Sequence, residues 1–384
     1  MGDNLFLWCF FKPLLTELGW TRATTSGAYS LFMLLHGALY IITGRLNDKY
    51  GPRIVIIVCS LFLGLGYLLM SQVNTIWQLY LFYGVLVGIG MTGNVPLLST
   101  ISRWFVKRRG LMTGIALSSV GIGTMIMPPL LTWLISTNGW RNSYIIVGII
   151  VLVLVILAAQ FLRRDPSQMG QLPDGANEVT IESSNLEAGG FSLQEAIHTK
   201  HFWMLGAMFF CGAFCLQSIM VHITPHATDL RISAASAASI LAIIGGLSIV
   251  GRIIIGSAGD RMGSKTAFII TFVMMSVSLF WLVTAKEIRA LCLFAVVFGI
   301  AYGGFIVLFS PSVAELFGLN SHGVILGIIT FVGTIGGAIG PVLAGGIFDA
   351  TDSYTLAFVG CGIISTIGLI LTLLLRSTVT EVRK

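Results

Sequence analysis

Few residues in this 384-residue chain could do chemistry, and the most conspicuous of them is Arg252. It sits inside an apolar run with no loop signal for four residues on either side. An arginine at the centre of a membrane helix costs about 2.5–3.5 kcal/mol on insertion scales. Either Arg252 serves a buried site, or it lies one turn from a helix end and snorkels to the headgroups. His36 and His222 also lie within apolar runs, and histidine is the side chain whose charge changes near neutral pH. Their plainer reading is an imidazole hydrogen-bonded within helix packing. Asn94, in the sequence GNVP, and Tyr302 can donate hydrogen bonds to a carboxylate or hydroxyl in a central cavity. Tyr29, Gln217 and Ser248 are weaker candidates of the same kind, and Glu315 reads as a solvated or latching residue at a helix end.

Nothing in the sequence suggests an enzyme. No Ser/His/Asp constellation, phosphate-cradling GxxxxGK or paired metal-ligand motif appears, so neither ATP nor a cofactor is expected. The six cysteines, Cys9, Cys59, Cys211, Cys215, Cys292 and Cys361, all fall in apolar stretches without CxxC spacing and read as small buried hydrophobes. No cleavable signal peptide is expected, because the N-terminus lacks a basic region and a small-residue cleavage site.

The elements that must position these residues follow from composition. Apolar residues make up 55% of the chain and charged residues 10%, with a mean hydropathy of +0.92, so a bilayer is the expected solvent. Forty-five glycines favour close helix packing. The apolar runs are unbroken for about twenty residues, which selects helices over barrel strands. Twelve runs centre on 5–16, 25–43, 54–71, 76–101, 111–136, 143–162, 202–224, 234–256, 266–285, 290–313, 323–347 and 354–375. We number them as spans 1 to 12. The first offers only about a dozen apolar residues, so it is read as shortened or as begun upstream.

The net charge of +6 does not indicate nucleic acid, because the cations cluster between apolar runs. Arg45, Lys49 and Arg53, then Arg103, Lys107, Arg108 and Arg109, then Arg163, Arg164 and Lys200, then Arg261 and Lys265, and finally Arg376, Arg383 and Lys384 fall on one side. The other side holds only Lys12, Arg22, Arg141, Arg231, Lys286 and Arg289. The positive-inside rule then places both termini in the cytoplasm of a multi-pass plasma-membrane protein, the inner membrane if the cell is prokaryotic. The longest polar stretch, 163–200, separates residues 1–162 from 201–384 and reads as a cytoplasmic linker, with a turn at Pro173–Gly175. Ser192 and Glu195 have capping-box spacing and predict a short helix leading into span 7.

The two halves repeat. GRLNDKYG from Gly44 reappears as GSAGDRMG from Gly256, at an offset of 212 residues. GIALSSVGIGTMIMPPL from Gly114 matches GIITFVGTIGGAIGPVL from Gly327 at 213, each with a proline fourteen residues on, Pro128 and Pro341. Gly88 and Gly93 match Gly299 and Gly304 at 211. Six spans per copy is an even number, so the repeats are parallel, with a solute site expected between them near the midplane. In the first motif the glycines allow sharp turns, while Asp48 and Asp260 can accept hydrogen bonds from helix N-termini and cations. With Gly44, Arg53, Gly256 and Arg261 they form a candidate latch for one conformation. An ordinary charged loop is the plainer alternative.

At this point the chain resembles the major facilitator superfamily, whose loop motif matches Gly44–Arg53. More narrowly it resembles the monocarboxylate transporters and their microbial relatives, including oxalate/formate antiporters. The segments that carry this are FFKPLLTELGWTRA from Phe10, RWFVKRRGLMTGIALSS from Arg103, DPSQMGQLPDG from Asp165, and VHITPHATD from Val221 followed by GRIIIGSAGDRMG. The resemblance covers nearly the whole chain, and the segment from Arg103 is its most specific part. It implies that Arg252 binds a substrate carboxylate, which its guanidinium fork can hold bidentately. It also implies that spans 4 and 10, with Asn94 and Tyr302, line the cavity.

The departures matter as much. The family's proton-accepting Asp one turn before the Arg is Ser248 here, and its span 1 Lys falls on Leu5. Span 11 carries no cation from Gly323 to Ile347, which suits a monoanion better than a dianion. His36 or His222 is left to carry the proton. The expectation is an all-α, twelve-span secondary transporter of lactate- or pyruvate-like anions, proton-coupled and monomeric. Moving an anion inward against the membrane potential costs about 2.3 kcal/mol per charge per 100 mV, which favours proton symport. Anion exchange of the oxalate/formate type is the second reading. A non-transporting receptor or scaffold on the same fold would need neither the repeated motifs nor the lone buried cation.

Overall fold

The computed structural model describes Phe10, Leu14 and residues 17–20, 22–174 and 190–375. Most of span 1, with Leu5 and Lys12, lies outside the described residues, as do linker residues 175–189 and the terminal cations Arg376, Arg383 and Lys384. The described regular structure is helical apart from one isolated bridge, Phe105 to Asp174.

Span 2 is Arg22–Tyr50, span 3 Pro52–Met70 and span 4 Ile76–Trp104. Spans 5 and 6 run on as Arg109–Phe161 and divide at Gly139, whose φ of 73° breaks the helix into 109–138 and 140–161. Then follow Lys200–Asp229, Ala234–Met262, Ser264–Thr284, Ile288–Phe317, His322–Thr351 and Thr355–Leu374 as spans 7 to 12. The turns from span 2 to 3 and from span 8 to 9 are single residues, Gly51 and Gly263, each at φ 83°. Only glycine enters that region without strain, which is why both copies of the motif end on it. Ser192 and Glu195 close the expected capping box over Leu193–Ile197.

Spans 4 and 10 are irregular. Span 4 carries a π-helical stretch, Tyr80–Val87, and a 3-10 turn, Met91–Gly93, before resuming at Asn94. Span 10 breaks at Leu308, between Ile288–Val307 and Phe309–Phe317. Pro96 and Pro311 supply a reason, since neither can donate to the carbonyl four residues before it.

Large apolar side chains face outward, Trp77 at 84% exposure and Phe161 at 85% among them. Only hydrocarbon makes such a surface favourable, because the helices already satisfy their own backbone. The chain forms two compact units, Met1–Trp104 with Ser119–Leu172, and Phe105–Ser118 with Pro173–Lys384. The start of span 5 thus groups with the second unit.

The first unit is centred on Phe32, Tyr67, Tyr83, Leu131, Tyr144 and Val147. At one end Arg141 ties its loops together, donating to Ser71 O at 2.8 Å, to Asn74 Oδ1 at 3.0 Å and to Glu17 Oε1 at 3.1 Å. The second unit packs Phe209, Phe268, Phe272, Phe305 and Phe309 against one another. Its spans approach backbone to backbone. A Cβ at Gly251 would meet the Ile300 backbone, and one at Gly303 the Ser248 carbonyl, so spans 8 and 10 pack at glycine distance.

Candidate substrate site and the two motif ends

Span 8 starts at Ser233, whose hydroxyl accepts from Ser236 N at 3.2 Å, and carries Arg252 into the packed interior. Arg252 is 4% exposed, so it is buried in protein and does not snorkel. One guanidinium nitrogen donates to Leu117 O at 2.6 Å, while Nε is buried without a hydrogen-bond partner among the described residues. Tyr302 of span 10, also 4% exposed, faces the same group, with its ring centroid 5.9 Å from the guanidinium carbon. Gly245, two helical turns before Arg252 and so on its face, has nothing within 4 Å of a built Cβ. A buried cation with an unused donor, an aromatic hydroxyl beside it and open space two turns along can bind one small anion.

Ser248, one turn before Arg252, is 2% exposed and donates to Gly245 O at 2.7 Å. Its hydroxyl is spent within its own helix, and its backbone forms the contact with Gly303. The second unit therefore brings Arg252 and Tyr302 together and turns Ser248 to packing. Gln217 lies against Gly337, 3.0 Å from a Cβ built there.

Asn94, Tyr29 and His36 belong to the first unit. Asn94 is exposed just past the 3-10 turn, beside Gly93, which also faces open space. Tyr29 is half-buried and stacks on Phe32. His36 is buried between Phe32 and Tyr40, with Nε2 3.3 Å from Met91 O at the irregular part of span 4.

His222 bridges three spans of the second unit. Nε2 lies 2.9 Å from Pro341 O and Nδ1 3.2 Å from the Tyr354 hydroxyl. A carbonyl only accepts, so Nε2 carries the hydrogen, and in neutral His222 the Tyr354 O–H donates to Nδ1. His226 stands edge-on to Tyr354 at 5.8 Å, and the charges of Asp229 and Asp349 act on the same tyrosine. Neither His226 nor Tyr354 stood out in the sequence, although His226 follows His222 by one helical turn.

The two motif copies behave differently. In the first, Asp48 lies 3.9 Å from Arg103, which also pairs with Asp165 at 3.2 Å. Gly44 is buried and Arg53 donates to Gln160. In the second, Asp260 accepts from Gly110 N at 2.6 Å and Leu111 N at 2.8 Å, capping the first turn of span 5. Gly256 makes the close backbone contact with Gly110 that brings that turn within reach, and Arg261 is exposed. Glu315 accepts from the Ser264 hydroxyl at 2.8 Å. The Leu117 carbonyl and Asp165 were invisible to sequence reasoning, since the partners lie 135 and 62 residues away from the side chains they bind.

The repeated loop motif, the interrupted spans 4 and 10 and the buried Arg252 are the marks of a multi-span solute transporter. The family model described as Major Facilitator Superfamily matches residues 1–257 and 223–384, and the chain belongs to that superfamily. It is a secondary transporter and not an enzyme. Among similar curated proteins, Monocarboxylate transporter 13 of Rattus norvegicus is 29% identical over 337 residues, covering 86% of this chain and 76% of the relative. The uncharacterized MFS-type transporter YhjX of Escherichia coli strain K12 is 27% identical over 327 residues, covering 83% and 78%. The fold matches the proton:xylose symporter XylE with a TM-score of 0.78 at 13% identity, over 98% of this chain and 94% of that one. It also matches the human organic anion transporter MFSD10 with a TM-score of 0.76 at 13% identity, over 97% and 95%.

Proposed function

We propose that this transporter carries a small monocarboxylate of the lactate or pyruvate type, and that Arg252 holds the carboxylate. The observation that carries this reading is the buried guanidinium whose Nε has no hydrogen-bond partner among the described residues, beside Tyr302. Burying a cation is tolerable when an anion completes its hydrogen bonds, and a carboxylate matches the guanidinium fork. Relatives named as monocarboxylate transporters support the same substrate class. Asn94 and Tyr29 are the candidate polar groups of the first repeat. Residues 1–162 and 201–384 act as the transport bodies and 163–200 as their cytoplasmic linker, in a monomer with both termini in the cytoplasm of the plasma membrane. The motif residues Gly44, Asp48, Arg53, Gly256, Asp260 and Arg261 latch the cytoplasmic end.

Transport is coupled to a proton, with His222 as the carrier and His36 as the other candidate. Protonating His222 adds a hydrogen at Nδ1 and makes the Tyr354 oxygen an acceptor, a switch seated on the Pro341 carbonyl. Exchange of two organic anions, as in an oxalate/formate antiporter, is the second reading, favoured by the polar but uncharged Ser248 where relatives keep an acid.

The test is uptake of labelled lactate, pyruvate, formate and oxalate into proteoliposomes with and without an imposed pH gradient. Inward-acid gradients should drive lactate or pyruvate uptake in the wild type, and His222→Gln should remove the gradient's effect. If no carboxylate enters under any gradient, the transporter carries something else. Exchange indifferent to pH would establish the second reading.

A further inference from the structure

The segment 109–118 at the start of span 5 is fastened to span 8 at three levels. Asp260 caps Gly110 N and Leu111 N, Gly110 and Gly256 meet backbone to backbone, and a Cβ at Gly114 would strike the Arg252 carbonyl. The third level is set by Arg252 itself, whose guanidinium donates to Leu117 O at 2.6 Å. That contact occupies Nη1, while Nε is buried without a hydrogen-bond partner among the described residues. With Nε buried, a carboxylate meets the fork end-on through both terminal nitrogens, so the fastened segment and a bidentate anion place opposing demands on Nη1.

We propose that segment 109–118 and the substrate carboxylate compete for Arg252, so that unfastening this segment from span 8 is what makes the anion site competent. The inference rests on the carboxylate reading above and deepens it. Leu117 and Asp260 become positioning groups that act through Arg252. Linkage then runs both ways: an anion that draws Arg252 from Leu117 loosens the segment, and a loosened segment raises affinity for the anion by the same factor.

The experiment uses the full-length protein in detergent, with pyruvate as the probe. Amide hydrogen exchange of the peptide covering 109–118 and equilibrium binding of pyruvate are measured for the wild type, Asp260→Asn and Gly114→Ala. Saturating pyruvate should speed exchange of that peptide in the wild type. Both substitutions should speed it without ligand and tighten pyruvate binding, by about five-fold or more. A melting curve shows which variant is folded, and either suffices. If pyruvate binds but slows exchange at 109–118 or leaves it unchanged, or if the folded variant binds no more tightly, the competition is wrong while the carboxylate reading stands. If pyruvate binds neither wild type nor variants, the carboxylate reading falls and the competition falls with it.

Discussion

The two repeats place different chemistry on one framework. At the offset of 212 residues, His36 and Tyr40 of span 2 stand where Ser248 and Arg252 stand in span 8, and at the offset of 211 that relates spans 4 and 10, Met91 and Thr92 stand where Tyr302 and Gly303 stand. The contacts correspond too. His36 reaches the Met91 carbonyl with its imidazole, whereas the Ser248 backbone meets Gly303 directly. The rings beside His36, Phe32 and Tyr40, belong to its own span; in the second repeat a glycine brings spans 8 and 10 together and leaves the cation beside Tyr302. Duplication preserved the spacing of elements, while the side chains at matching positions divided into an imidazole–aromatic half and a cationic half.

The largest effect expected from this division is on Arg252 itself. Truncating one partner of a buried hydrogen-bonded charge pair costs about 2–5 kcal/mol, so Arg252→Ala should lower carboxylate uptake by roughly 30-fold or more. Tyr40→Phe, at the matching place, should keep uptake near that of the wild type. Equal losses in labelled-pyruvate uptake would erase the functional difference between the halves. Next is packing: Gly303→Leu forces spans 8 and 10 apart and should lower stability by about 1–3 kcal/mol, against less than about 1.5 kcal/mol for the volume-conserving Met91→Leu. Thermal melting in detergent measures both, and the reverse order would contradict the close approach.

The motif copies should separate less widely. Asp260→Asn weakens a cap on two backbone N–H groups, worth about 1–2 kcal/mol. Asp48→Asn loses an ion pair at 3.9 Å, worth about 0–1 kcal/mol. Identical melting shifts would mean that both copies are simple loop charges. The smallest effect belongs to the opposite end of the first unit. The Trp140 indole, and then Arg141, hold the Glu17 carboxyl below its ordinary range against a partial opposing effect of burial. A depressed carboxylate adds stability above its unfolded pKa, and that stability is lost as pH falls through the folded value. Glu17→Gln should therefore melt slightly below the wild type at neutral pH, by well under about 1 kcal/mol, with the gap closing once pH falls below about 4. A gap that widened on acidification would contradict this assignment.

Much of this was legible in the chain. Hydropathy placed the spans because a bilayer demands about twenty apolar residues for each crossing. Repetition at offsets of 211 to 213 residues pointed to two halves, and Ser192 with Glu195 announced a helix start because capping is local chemistry. Arg252 was visible because charge within an apolar run is costly wherever it occurs.

What tertiary structure decided is what each exposed or buried group touches. Spacing could not show that Arg252 donates to Leu117 O, that Asp260 caps span 5 while Asp48 faces Arg103, or that Ser248 turns back on its own helix. A hydrophobic pattern specifies which face is buried but carries no record of which distant backbone group arrives there. Those partners are set by how closely glycine lets two helices approach, and that distance exists only once the helices are packed.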